Sequence, residues 1–203
     1  FIETLENISS TNKNNNKKIL NTMSEQAYRM SKLIDDLLVL SNVESSIFQN
    51  RSEKLSIVII INKIKKDVLL LNVRNLQIKY RVNNNLNIYG SKKEIKSAFL
   101  NLITNAIRYT NNGSIFISWG LINGLPIFEV KDTGHGIEKK HIGRITERFY
   151  RVDPDRSRDS GGTGLGLSIV KNIIKQHNGE LKITSEIGKG SSFKLIFSKE
   201  SIL

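Results

Sequence analysis

The sequence predicts an α+β fold in two parts: a helical hairpin over residues 1–50, then a sheet with helices on one face over residues 51–203. Three observations carry this. A heptad seam runs through the N-terminal part. Alternating apolar stretches begin after residue 53. Two amphipathic helical patterns sit among those stretches.

The seam is made by Met23, Ala27, Met30, Ile34 and Leu37, at spacings of four, three, four and three. Leu20 extends it backwards, and Leu33 and Leu38 widen it, as in a helix packed in a bundle. Ser9 to Lys18 is polar and Asn-rich and reads as a loop, which makes Phe1 to Ile8 the tail of a preceding helix. Two helices are half of a four-helix bundle, so the expected partner is a second copy of the chain. The competing reading is a hairpin packed on the rest of its own chain.

Further on, Ser56 to Arg74 reads as a helix. Gln77–Val82, Leu86–Tyr89, Ser114–Trp119, Ile127–Lys131, Leu181–Ser185 and Phe193–Phe197 read as strands of an antiparallel or mixed sheet. Val152 to Gly162 is polar, charged and Gly-rich, the composition of a loop between helical pieces.

Composition narrows the function classes. With 38% hydrophobic and 25% charged residues, the 203-residue chain has the material for an ordinary core. It has no cysteine, which excludes disulfides and thiolate metal sites. The apolar run Ile57 to Ile61 is far short of the ~18 residues of a membrane helix. The chain starts at Phe1 with no signal-peptide pattern, so it reads as a piece whose membrane anchor, if any, lies upstream. The net charge of +12 raises the question of a polyanion partner. The lysines are scattered, and no recognition helix or aromatic–basic interleaving is visible, so no nucleic-acid partner is expected.

Three constellations carry chemistry. The first is the helix after Gly90. Ser91 and Glu94 have capping-box spacing, and Ile95, Ala98, Phe99, Leu102, Ile103 and Ala106 form one apolar face. Asn101, Asn105 and Arg108 form a second stripe at i, i+4 and i+7. Asn is a mediocre helix former. Its neutral amide oxygen can ligate Mg²⁺ beside phosphates without adding negative charge, and Arg108 can hold a phosphate. A solvated polar face is the alternative.

In the second, the strand from Ile127 runs into Asp132, Gly134, Gly136 and Ile137. A carboxylate at a strand end can accept a hydrogen bond from the exocyclic amine of adenine, and glycines let backbone approach the ring. A plain structural turn is the alternative. In the third, Gly162, Thr163, Gly164, Leu165, Gly166 and Leu167 feed a helix with an Ile169, Val170, Ile173, Ile174 face. Free N–H groups and the helix dipole make such a junction an anion site. Its spacing is neither the dinucleotide fingerprint nor a P-loop, and the Lys and His-Arg-Asp motifs of eukaryotic-type kinases are missing. Between these two lie Phe149, Tyr150 and Arg151. The aromatics either seat a loop on a nucleotide or pack in the core. Arg151 can reach a phosphate, and Asp153 to Gly161 reads as a lid.

The order of these segments is more specific than any one of them. N-L-I-T-N-A-I-R-Y-T, D-T-G-H-G-I, E-R-F-Y-R-V-D, G-G-T-G-L-G-L-S-I-V-K and G-K-G-S-S-F follow one another. Together they resemble the ATP-binding domain of sensor histidine kinases of two-component systems, nearest to the phosphate-regulon type. R-M-S-K-L-I-D-D-L-L-V-L-S-N-V-E-S resembles the second helix of that family's dimerisation and phosphotransfer hairpin.

The resemblance implies an α/β sandwich shared with gyrase and Hsp90 ATPases, with ATP and Mg²⁺ as cofactors. It implies Asn105 as Mg²⁺ ligand, Asn101 as support, and Arg108 and Arg151 on phosphates, with Tyr109 and Tyr150 along the nucleotide. Asp132 would bind the adenine amine, with Gly134, Gly136 and Ile137 shaping that pocket. Gly162 to Leu167 would close over the phosphates. It further implies a homodimer, a response-regulator partner, and a place in the cytoplasmic portion of an inner-membrane sensor. Catalysis would centre on Asn105 and Arg108. None of the three histidines, His135, His141 and His177, has the context of the family's phosphorylated histidine, so that residue is expected outside this chain. Ser91, where the family often has Asp, is expected to cap its helix.

Overall fold

The computed structural model describes residues 16–41, 53–69, 76–152 and 163–202, apart from residues 18, 25, 28, 29, 32 and 84. The expected helix tail Phe1 to Ile8, the lid Asp153 to Gly161, and Gly162 lie outside the described residues.

The first helix, α1, takes in the described residues from 16 to 41. Helix is already present at Asn16 and Lys17, so the loop expected to reach Lys18 ends sooner. Lys17 is an exposed, good helix former that extends the helix behind Leu20. The helix has two faces. Leu33 and Val39 are partly buried against the core and Leu40 is buried, whereas the seam at Leu20, Met23, Met30, Ile34 and Leu37 is exposed.

β1 (Glu53–Ser56) pairs antiparallel with β3 (Asn87–Gly90), from Glu53↔Gly90 to Ser56↔Asn87. β1 escapes the sequence pattern because it is four residues long and buries only Leu55 deeply. α2 (Ile57–Leu69) follows at once and turns Ile57, Ile60, Ile61, Ile64 and Val68 inward.

The main sheet has the order β2-β4-β5-β7-β6, with β2 (Leu76–Val82), β4 (Gly113–Ile122), β5 (Leu125–Asp132), β6 (Glu180–Glu186) and β7 (Gly190–Ile196). β2 and β4 are parallel and the other neighbours antiparallel, so the sheet is mixed. β4 and β5 outrun their alternating stretches, because pairing continues to the turn at Asn123 and Gly124. Both turn residues have positive φ, 53° and 76°, as a two-residue hairpin with Asn-Gly requires.

α3 (Lys92–Tyr109) and α5 (Gly166–Gln176) pack on the sheet and on each other. A short helix, α4 (Lys139–Ile142), lies between β5 and α5. The apolar faces read for α3 and α5 are all buried. Phe99 of α3 stacks on Phe128 of β5 at 3.6 Å, and Trp119 anchors the far end by donating from Nε1 to Leu86 O at 3.0 Å. Removing such a ring costs about 3–5 kcal/mol, so this layer fixes where α3 sits on the sheet.

Ser91 stands at the N-cap of α3, but its hydroxyl does not cap the helix. The backbone N–H that Glu94 would satisfy in a capping box donates to His177 Nε2 at 3.1 Å instead. Glu94 is buried, with Oε2 3.8 Å from His177 Nδ1. The histidine at the end of α5 has taken over the acceptor role that the box would give Glu94.

Candidate functional site

The three constellations meet in one cavity of about 560 Å³. α3 supplies Asn101, Asn105, Arg108 and Tyr109; the turn after β5 supplies Asp132, Gly136 and Ile137. Tyr150 and Arg151 come from the segment after α4, and Thr163, Gly164, Gly166 and Leu167 from the start of α5. Gly134 and Leu165, also expected at the site, do not line the cavity. Leu165 is fully buried, and a Cβ at Gly134 would run into Tyr109 O and lie 2.9 Å from Asp132 Oδ1.

Asp132 is 4% exposed. Its Oδ1 accepts from Gly134 N–H at 2.8 Å and from Ser191 N–H at 3.3 Å, which leaves Oδ2 for the cavity. Burial pushes its carboxyl above the usual carboxylate range, against the pull of those two backbone hydrogen bonds and of His135. The site therefore holds one oriented acceptor at its base. His135 lies exposed at the rim, its Nδ1 2.9 Å from Tyr109 O.

The cavity also carries cationic side chains. Arg108 and Arg151 both line it, and one guanidinium nitrogen of Arg151 is buried without a hydrogen-bond partner among the described residues. A buried, unpaired charged donor is costly unless a ligand completes it. Asn101 is held by its own Nδ2–H donating to Ser97 O at 3.1 Å. Its Oδ1 approaches the first turn of α5, where a Cβ at Gly166 would come within 2.8 Å of it. Asn105 faces the cavity one turn on. The described residues contain no cluster of three His, Cys, Asp or Glu side chains to hold a metal. A single neutral Asn oxygen fits Mg²⁺ only if phosphates and water supply its other ligands, which is how Mg²⁺ is commonly held.

The glycine loop is tied to the aromatic segment by backbone. Phe149 N–H donates to Gly164 O at 3.0 Å, and Gly164 has φ 74°. A Cβ there would sit 2.8 Å from Phe149 Cα, so the contact needs glycine twice over. Phe149 itself is 59% exposed, which excludes the core-packing reading for it. Tyr150 turns inward, with its hydroxyl 2.6 Å from His141 Nδ1 and Arg144 over its ring.

Sequence reasoning missed several lining residues. Ser191 and Phe193 come from β7, and Asp36 comes from α1. The Gly-Lys-Gly-Ser-Ser-Phe segment was a signal for the β7 pair. Nothing local in sequence brings Asp36 to this site.

Residues 90–201, from the β3 end to the C-terminal turn, match the model of the histidine kinase-, DNA gyrase B- and HSP90-like ATPases. The chain belongs to that family. Its curated relatives include the phosphate regulon sensor proteins PhoR of Pseudomonas aeruginosa and Haemophilus influenzae, each 38% identical. These alignments cover 91% and 92% of this chain but 42% and 44% of those proteins, so the chain spans less than half their length. Among solved structures, the Acinetobacter baumannii histidine kinase AdeS has the same fold, with a TM-score of 0.73 at 24% identity over 90% of this chain and 84% of that one. Full-length ShkA in complex with AMPPNP matches over 82% of this chain and 35% of its own, at a TM-score of 0.68 and 23% identity. The ATPase fold thus accounts for the packing of the helices on the mixed sheet.

Proposed function

We propose that this ATPase-family chain is the catalytic part of a two-component sensor histidine kinase. It would transfer the γ-phosphoryl group of Mg-ATP to a histidine outside these 203 residues, and from there to a response-regulator aspartate. Residues 1–50 would form the dimerisation hairpin and residues 51–203 the ATP-binding domain, on the cytoplasmic side of a membrane sensor. The observation that carries this reading is that one cavity is lined both by an oriented buried carboxylate, Asp132, and by Arg151, one of whose guanidinium nitrogens is buried without a partner among the described residues.

Each residue then has a task. Asp132 Oδ2 accepts from the adenine amine, while Gly134, Gly136 and Ile137 shape the ring pocket. Tyr109 and Tyr150 lie along the nucleotide. Arg108 and Arg151 bind phosphate oxygens, and Gly162 to Leu167 cover them with N–H groups at a helix start. Asn105, steadied by Asn101, would hold Mg²⁺, which when bound neutralises charge on the phosphoryl group. In transfer, the bond from the γ-phosphorus to the bridging oxygen breaks, a bond to an imidazole nitrogen forms, and ADP leaves. Catalysis of this kind is mostly positioning and charge neutralisation.

The test joins the chain to the segment encoded upstream of it and adds γ-labelled Mg-ATP. An acid-labile, base-stable phosphate is expected on the protein. Asn105→Asp should lower labelling by about 100-fold or more, the scale of losing one preorganised electrostatic contact. Stable labelling of the 203-residue chain alone would sink the proposal.

A further inference from the structure

Two side chains hold Tyr150 from outside the cavity that it lines. Its hydroxyl lies 2.6 Å from His141 Nδ1, and the Arg144 guanidinium sits over its ring, 4.4 Å from the centroid. Tyr150 lines the cavity, whereas neither His141 nor Arg144 does. All three belong to one short segment that backbone bonds hold together. The His141 carbonyl accepts from Arg144 N–H and Ile145 N–H, both at 2.9 Å, and Tyr150 N–H donates to Glu147 O at 3.4 Å. Arg144 is tied in turn to Glu147, Nε to Oε2, at 3.3 Å. The residue before Tyr150 is strained. Phe149 has φ 62°, a left-handed conformation that bulky side chains rarely adopt. Such a conformation persists only where its surroundings over-determine it. Here the ties are Phe149 N–H to Gly164 O at 3.0 Å on one side and the Tyr150 hydroxyl to His141 on the other.

We infer that His141 is a positioning residue for nucleotide binding: it holds the Tyr150 ring in the orientation that the nucleotide meets. That role rests on Tyr150 lying along the nucleotide. A ring free to turn about its side-chain bonds must be immobilised when ligand binds, and that ordering weakens affinity. A ring pinned at its hydroxyl, with a cation over one face, has given up that freedom beforehand. Either tautomer of His141 can do this. The Tyr150 hydroxyl donates to a bare Nδ1, or Nδ1–H donates to the hydroxyl oxygen. His141 touches no ligand in this scheme and acts through Tyr150 alone.

The experiment is a calorimetric titration of the full chain with Mg-ADP, in wild type, His141→Leu, Tyr150→Phe and the double variant. His141→Leu removes the partner and leaves the tyrosine. Tyr150→Phe keeps the ring and removes the hydroxyl, so either change frees the same end. Each should bind Mg-ADP roughly two- to tenfold more weakly, the scale of ordering one side chain, at the stoichiometry of wild type. The double variant should bind no more weakly than the weaker single variant, because both changes break one hydrogen bond. A purely structural role would lower the folded fraction, and with it the stoichiometry, and leave the dissociation constant unchanged. That result overturns the positioning role. So does a His141→Leu or Tyr150→Phe variant that binds as tightly as wild type, and so do losses that add in the double variant. If His141→Leu does not fold, Tyr150→Phe, which removes least, decides alone. In all these cases wild type still binds and the nucleotide reading stands. If wild type binds no Mg-ADP, the nucleotide reading falls and the positioning role with it.

Discussion

Asp132 shows how one side chain is made specific by its surroundings. Gly134 and Ser191 N–H groups both donate to Oδ1, so the backbone dictates which oxygen faces the cavity. This leads to a sharp expectation for Asp132→Asn. On the nucleotide reading, the amide oxygen stays with the two backbone donors, and the NH₂ group then faces the place proposed for the adenine amine, donor against donor. Losing one charged hydrogen bond of this kind costs about 1.5–3 kcal/mol, so ADP affinity should fall by roughly 10- to 150-fold. The turned amide also suits a carbonyl acceptor, so the preference for ADP over GDP should narrow. Titration of both nucleotides decides it, and an unchanged ADP affinity would remove Asp132 from the adenine site. At this scale the sequence was informative wherever the site is local. The stripe Asn101, Asn105, Arg108 follows from helical period alone, and Asp132 from its place at a strand end. Asp36 was illegible, because its role comes from a contact with Thr163 across the fold. The Arg151 guanidinium nitrogen buried without a partner among the described residues was illegible too, since sequence does not report which donors are left over.

Elements were predicted by pattern and finished by tertiary contacts. The buried faces of α3 and α5 matched their periodicity, while β1, the Asn123-Gly124 hairpin and the capping of α3 did not follow from local reading. The Ser91–Glu94 spacing is that of a capping box, yet His177 supplies the acceptor. That substitution couples the end of α5 to the start of α3 through a single tautomer. Nδ1–H donates to Ile173 O at 2.8 Å, and Nε2 accepts from Ser91 N–H. Protonated Nε2 would face another donor, so the pair requires neutral imidazole. Burial lowers the His177 pKa below its ordinary value, the hydrogen bond to Ile173 opposing, and Glu94 at 3.8 Å does not reverse the direction. A lowered folded-state pKa means that the unfolded chain binds the proton first. Stability is therefore full above about pH 6.5 and declines below it toward the lowered folded value, by up to about 1.4 kcal/mol per pH unit. Glu94, raised by burial, acts with the opposite sign and in the carboxylate range. Urea unfolding at about pH 7.5 and about pH 5.5 should show the loss in wild type. His177→Ala should flatten that dependence while costing about 1–3 kcal/mol at the higher pH, because the Ser91 N–H is left without its acceptor. A variant that keeps the wild-type pH slope would shift the cause to another group.

For the whole molecule, the question is what covers α1. Sequence reading left two partners open, a second copy or the rest of the chain; one face of the helix packs on its own chain and the other is exposed. Leu40 is 3% exposed against the ATPase core, whereas Leu20, Met23, Met30 and Ile34 are all more than half exposed on the other side. A contiguous apolar stripe of this kind marks an interaction surface. Its spacing of three and four is that of a bundle seam, which one helix cannot satisfy. The two faces separate two properties. Met30→Glu and Ile34→Glu put charge in the seam without touching the cavity. In the chain joined to its upstream segment, light scattering should show a dimer for wild type and a monomer for the double variant. Mg-ADP affinity should stay within about twofold, since both side chains are exposed and neither lines the cavity. Phosphohistidine labelling should fall only if the transfer needs the paired hairpins. Loss of nucleotide affinity along with the dimer would mean that the seam reaches the site. Asp36 and Thr163 are the contact through which it would do so.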